Sequence, residues 1–161
     1  MLIRDETAGD RAAVREIVSA AFGRQDEAVL VGRLRESGDA EIALVAELDG
    51  AILGHVMLSR MAAPFRALGL GPVAVAPERQ REGIGSALVR ESLERARSGG
   101  WEGVFVVGDP AYYRRFGFRP ESARAFDSVY SGPHLMALGL AGPLPAGGGR
   151  IDYPPAFARL G

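Results

Sequence analysis

The chain has no cysteine. That excludes disulfides, zinc–thiolate sites and a cysteine nucleophile together. Lysine is missing as well: all 19 basic residues are arginine, which reads as compositional bias of the source genome and bears little on function. Histidine occurs twice, as His55 and His134, too sparsely for a histidine-rich metal site. No apolar run reaches the roughly 18 residues of a membrane span, and the opening "MLIRDETAGD" lacks the apolar core of a signal peptide. An excess of one charge is also absent. With 19 basic and 20 acidic residues the net charge is -1 at pH 7, so nothing draws the whole molecule onto nucleic acid or an anionic membrane. The resulting expectation is a cytoplasmic protein with no metal, no nucleic acid and no membrane partner.

What is present is an ordinary globular composition. The 161 residues are 47% apolar and 24% charged, enough for one domain with its own core. "LIRDE" reads as a short opening strand. A helix follows, with Val14, Ile17, Val18 and Ala21 at helical spacing and Thr7 or Asp10 as its cap. A second helix carries Val29, Leu30 and Leu34 and stops at Gly38. "EIALVAEL" and "AILGHVMLSRM", joined by Asp-Gly, form the best hairpin signal in the chain. "ALGLGPVAVAP" is apolar on both faces, as expected of a central, buried strand. The longest helix, "REGIGSALVRESLERARSGG", turns Ile84, Leu88 and Leu93 inward and stops at a glycine pair. A buried strand "WEGVFVVGD", a short helix "PAYYRRFGF" breaking at Gly117 and a last apolar run "HLMALGL" complete a β-α-α-β-β-β-α-β-α-β order, an α/β domain with a mixed sheet. The expected division is one domain over residues 1–161, with a core over 1–140. The Pro- and Gly-rich 141–161 segment reads as an extension, loosely packed or partly mobile.

The segment "VAVAPERQREGIGSALVRESLERA" places two glycines where a helix starts, although glycine stabilises helix poorly. A helix's first turn has free N–H groups and the positive end of the helix dipole, which suit an anion such as phosphate. Side chains there would hold the anion off. Gly83 and Gly85 remove two of them, so Gln80, Arg81, Glu82, Gly83, Ile84, Gly85 and Ser86 look like a pyrophosphate cradle, with Arg79 and Arg81 adding charge. It is neither a G-x-G-x-x-G fingerprint nor a P-loop. The plain alternative is a turn that happens to contain two glycines.

The pattern Val-x-Pro-x-x-Arg-Gln-x-x-Gly-x-Gly, between a strand and an amphipathic helix, resembles the acetyl-CoA motif of the GNAT N-acetyltransferases, with Gln80, Gly83 and Gly85 in register. "AYYRRFGF" resembles that family's Phe-Tyr-x-x-x-Gly-Phe segment through Tyr113, Gly117 and Phe118. "GDPAYYRRFGF" and "YPPAF" look like a branch of small bacterial members of unassigned substrate. The resemblance implies a mostly antiparallel, twisted sheet of about six to seven strands, splayed between the fourth and fifth, with flanking helices. It implies an acyltransferase in which an amine attacks the thioester of acetyl-CoA directly. The pyrophosphate would lie on the amides of Arg81 to Ser86. A backbone N–H near Val73, Ala74 or Val75 would hold the acetyl carbonyl, and Gly69, Gly71 and Pro72 suit a bulge there. Tyr113 matches the family's general acid, with helix-capping aromatic packing as the alternative. Tyr112 fits packing or cofactor contact, and Asp109 a helix cap or a cofactor contact.

The base is less legible. Many family members carry a glutamate on the fourth strand, and "ALGLGPVAVA" has no acid. Asp26 and Glu27 would flank the acceptor cleft, Glu27 first, although either also reads as an ordinary solvated helix residue. His55 is the other candidate, with a structural strand histidine as its alternative. Phe22, Phe65, Tyr130 and Tyr153 suit an acceptor wall or plain packing. No acidic run points to a polycationic acceptor, so a small amine, an amino acid or a protein N-terminus stay open, as does homodimerisation. Two readings without turnover also stand: an acyl-CoA-binding sensor and a phosphate-binding interaction domain.

Overall fold

The computed structural model describes residues 1–160. In chain order the elements are β1 (Leu2–Asp5), α1 (Arg11–Phe22), α2 (Asp26–Ser37), β2 (Ala40–Leu48), β3 (Ala51–Arg60), β4 (Ala67–Val75), α3 (Ile84–Ser98), β5 (Gly103–Val107), α4 (Pro110–Tyr113), α5 (Pro120–Ala123), β6 (Phe126–Asp127), β7 (Leu135–Gly139) and β8 (Gly149–Arg150). Six strands form one sheet in the order β1-β2-β3-β4-β5-β7. Every neighbouring pair in it is antiparallel except β4 and β5. The mixed, mostly antiparallel α/β sheet expected from the sequence is therefore present. The elements that escaped periodicity, α5, β6 and β8, are two to four residues long, too short to show a period.

β4 is central, as its two-sided apolar run requires, and it separates two cores. On one face, α3 packs Ile84, Leu88 and Leu93 against Leu44, Val56 and Val104. On the other, Val14 and Val18 of α1 and Leu30 and Leu34 of α2 cover Val45, Met57 and Ala74. Each fully buried leucine here stabilises the fold by about 2 kcal/mol. Among the described residues, no helix is long and apolar enough to cross a membrane.

The stripe of α2 differs from the expected one by a rotation. Val29 is 43% exposed, and the buried positions are Glu27, Leu30, Val31 and Leu34, an i, i+3, i+4, i+7 set. That rotation carries a carboxylate inside. The C-terminal segment also departs from expectation. Ile151 is wholly buried with Phe105 and Phe126, and the Asp152 amide donates to the Ala62 carbonyl at 2.9 Å. Phe157 and Leu160 pack onto the core beneath α1 and α2. Its prolines and glycines shape turns, while its few large apolar residues do the anchoring.

Candidate functional site

The sheet opens between β4 and β5. Their pairing ends at Gly69 opposite Phe105, while β4 continues to Val75. On its other edge β4 stays on β3, with a bulge: Leu58 faces Leu70 and Val56 faces Val73, so Met57 stands opposite both Gly71 and Pro72. The Ala76 amide donates to the Leu53 carbonyl at 2.9 Å. Amides alternate in direction along a strand, so the Ala74 amide also points to β3, and those of Val73 and Val75 point into the gap. Of the three expected carbonyl binders, Ala74 thus has its amide committed to the ladder and its side chain in the core.

The turn after β4 leads into α3. Gly83 has φ +85°, and a Cβ there would meet nothing within 4 Å. It is needed for its left-handed backbone rather than for room. Arg81, at φ +68°, adopts the same region without that excuse. The first helical bond joins the Ala87 amide to the Gly83 carbonyl, leaving the amides of Ile84, Gly85 and Ser86 ahead of any helical acceptor. Gly85 faces the gap: a Cβ would lie 3.5 Å from Val75 Cγ2 and 3.7 Å from the Tyr112 hydroxyl. Around it, Tyr112 Oη and Ser86 Oγ are 3.0 Å apart, and Gln80 Nε2 donates to the Val75 carbonyl at 3.2 Å. Arg79 and Glu82 pair at 3.3 Å on the outer side of the turn.

Two hollows meet at the gap. One, of about 290 Å³, lies over the turn and is lined by Val73, Val75, Gln80, Gly85, Tyr112 and Tyr113. The other, of about 390 Å³, is lined by Phe22, Leu30, Val73 and Tyr113, and by Tyr153 and Phe157 of the C-terminal segment. Phe22, Val73 and Tyr113 border both. The Tyr113 ring lies edge-on to Phe118, at 5.9 Å between centroids, and to Tyr112 at 5.0 Å. Burial, with a smaller contribution from Tyr112, pushes its phenol up to about 12, so the hydroxyl keeps its proton at neutral pH. Gly108 makes this placement fit, since a Cβ there would stand 2.5 Å from Tyr113 Cε2.

Glu27 lines the larger hollow from α2 and is 5% exposed. Its oxygens accept from Arg24, Nε at 2.9 Å and Nη2 at 2.5 Å. A splayed parallel pair, a helix start with free amides beside it and a partly buried phenol thus converge at the junction of two hollows.

Residues 2–120 match the family model described as "Acetyltransferase (GNAT) domain". The chain belongs to the GNAT acetyltransferase family. YjhQ of Escherichia coli K12, an uncharacterized N-acetyltransferase, is 37% identical over 133 residues, which are 78% of this chain and 71% of that protein. The crystal structure of YhbS, a GNAT family N-acetyltransferase of E. coli in complex with CoA, superposes with a TM-score of 0.93 at 30% identity over 99% of this chain and 93% of that one. A GNAT family acetyltransferase of Brucella melitensis in complex with acetyl-CoA gives 0.83 at 36% identity, over 97% of each chain.

In this GNAT chain the expected site residues divide. Val73, Ala74, Val75, Gln80, Gly85, Tyr112, Tyr113 and Glu27 border the hollows. His55 does not. It is fully buried on β3, with Nε2 3.3 Å from Glu6 Oε1, and Arg35 binds the same carboxylate. Burial alone would raise the Glu6 carboxyl, yet His55 and Arg35 outweigh it and lower it to about 2. His55 is therefore a structural partner inside the core, without access to either hollow. Of the two readings of Asp109 the structure shows the cap, with Oδ1 accepting from the Ala111 amide at 3.0 Å, while the expected cofactor contact is corrected, since it borders neither hollow. Phe65 stacks on Phe105 away from the acceptor side, whereas Phe22, Tyr130 and Tyr153 do form its wall. Leu30, Val107 and Phe157 were missed, for they come from three distant stretches with no local signal in common.

Proposed function

We propose that this GNAT chain is an acetyl-CoA-dependent N-acetyltransferase working in the β4–β5 gap, with a small-molecule amine as acceptor. The observation that carries this reading is the meeting of the two hollows at Val73 and Tyr113, one over the α3 start and one over Glu27. The residues fit the cosubstrate. The amides of Ile84, Gly85 and Ser86, with those of the turn from Arg81, would hold the pyrophosphate. The Val73 and Val75 amides, unused by the sheet, would hold the acyl carbonyl and stabilise the charge that develops there. When bound, acetyl-CoA supplies an acyl group activated as a thioester.

The chain's own groups then manage protons. The acceptor nitrogen must be a free amine to form the C–N bond, and Glu27 takes the proton its ammonium loses. As the C–S bond breaks, Tyr113 presents its hydroxyl to the sulfur. A phenol near 12 is about 3.5 units weaker as an acid than an ordinary thiol at ~8.5, so full transfer would be uphill by about 5 kcal/mol in this environment. Tyr113 therefore serves chiefly as a hydrogen-bond donor to the leaving thiolate. A carboxylate on one wall and a phenol at the junction favour turnover over a silent sensor.

Calorimetric titration with acetyl-CoA tests the cosubstrate half. Wild-type protein should bind in the micromolar range, about -8 kcal/mol, and a Gly83→Glu, Gly85→Glu double variant should lose at least 100-fold. Equal binding by the two, or none by the wild type, would remove the pyrophosphate assignment.

A further inference from the structure

The acceptor hollow is chemically one-sided. Its wall is aromatic and aliphatic, with rings from Phe22, Tyr113, Tyr130, Tyr153 and Phe157. One ionisable carboxylate, Glu27, lines it, and no arginine or histidine among the described residues does. At about 390 Å³ it lies at the small end of ligand pockets.

Resting on the function proposed above, we infer that the acceptor is a compact aromatic or branched aliphatic primary amine bearing no carboxylate or phosphate. The ammonium group of such a molecule meets Glu27, whose oxygens keep further acceptor capacity beside the two Arg24 bonds, and an aromatic wall, which favours a cation. Its apolar body replaces water along the rest of the wall. A carboxylate on the same molecule would be desolvated against a wall with no cationic side chain, since the Arg24 guanidinium lies outside that wall and is already bonded to Glu27. A polyamine would bury its second ammonium among leucines and phenyl rings with no second anion to meet it. The buried Tyr153 hydroxyl has no hydrogen-bond partner in the protein. It is a donor and acceptor left over at the back of this wall, and nothing there offers the fork geometry that recognises a carboxylate.

The test compares phenethylamine, phenylalanine, spermidine and a short peptide with a free N-terminus in a thiol-release assay with acetyl-CoA. Phenethylamine should exceed each of the other three in kcat/KM by at least tenfold. Val107, which lines the hollow at the end of β5 and is 43% exposed, gives a second arm. Val107→Arg supplies the missing cation and should reduce the phenethylamine-to-phenylalanine ratio by about tenfold while KM for acetyl-CoA stays within twofold. Equal or better turnover of phenylalanine, spermidine or the peptide overturns the inference, as does an unchanged ratio in Val107→Arg. Acetyl-CoA binding by titration with no turnover of phenethylamine overturns the acceptor class alone. Failure to bind acetyl-CoA overturns the underlying function instead.

Discussion

The two halves of the site are built from different materials. The side proposed for the cofactor is made of backbone: free amides at the start of α3, two amides of β4 turned from the sheet, and glycines at 83 and 85. The acceptor side is made of side chains from α1, α2, β4, β5, α4 and the C-terminal segment. A backbone site needs a particular conformation and the absence of Cβ atoms, so it leaves a short local trace. A side-chain site needs only that distant residues meet, and almost any apolar residue can supply wall. The first half therefore constrains the chain's sequence locally, and the second constrains its topology.

That contrast can be strained from both sides. The largest effect is expected where the halves meet. Tyr113→Phe should lower kcat about 100-fold, the low end for a proton-handling group, with KM for acetyl-CoA nearly unchanged. Because burial pushes the phenol up to about 12, wild-type kcat should hold through pH 10, and an alkaline fall below that point that Tyr113→Phe abolishes would overturn this expectation. Glu27→Gln should come next, with kcat down about 30-fold and the loss shrinking as pH rises and more of the acceptor is already a free amine. Gly108→Ala places a methyl 2.5 Å from Tyr113 Cε2. A kcat about tenfold lower with unchanged acetyl-CoA binding would locate the damage in the ring's position. The smallest effects separate the two glycines of the turn. Gly83→Ala forces a methyl-bearing residue to φ +85° and should destabilise by about 1 kcal/mol in urea melts. Gly85→Ala finds ordinary contact distances and should leave stability nearly unchanged while weakening acetyl-CoA binding a few-fold. Equal effects at the two positions would mean that they are alike, and the division between conformation and room would fail.

The same contrast explains what could be read in advance. The glycine turn and the central strand were legible in two short segments, while the splay and the choice of Tyr113 came with the family resemblance that those segments carry. Glu27 was half legible. Its burial is encoded in the i, i+3, i+4, i+7 set it shares with Leu30, Val31 and Leu34, but Val29 beside Leu30 suggests a stripe rotated away from it, and two adjacent apolar residues do not say which faces inward. His55 looked chemical because its type is chemical. Only the arrival of Glu6 from β1's end and Arg35 from α2 makes it structural, a meeting of three segments that no window reveals. Asp109 followed the opposite course, since Asp before Pro at a short helix start is a cap signal that the structure repeats in geometry.

The wall formed by Tyr153 and Phe157 has a practical corollary. Tyr153 and Phe157 lie after the α3 turn in the chain, so the residues proposed to hold the cofactor can be present without part of the proposed acceptor wall. A chain shortened by premature termination or by carboxypeptidase trimming would retain the first and lack the second. Cofactor affinity alone would pass such molecules as sound, so mass should establish that Tyr153 and Phe157 are still present.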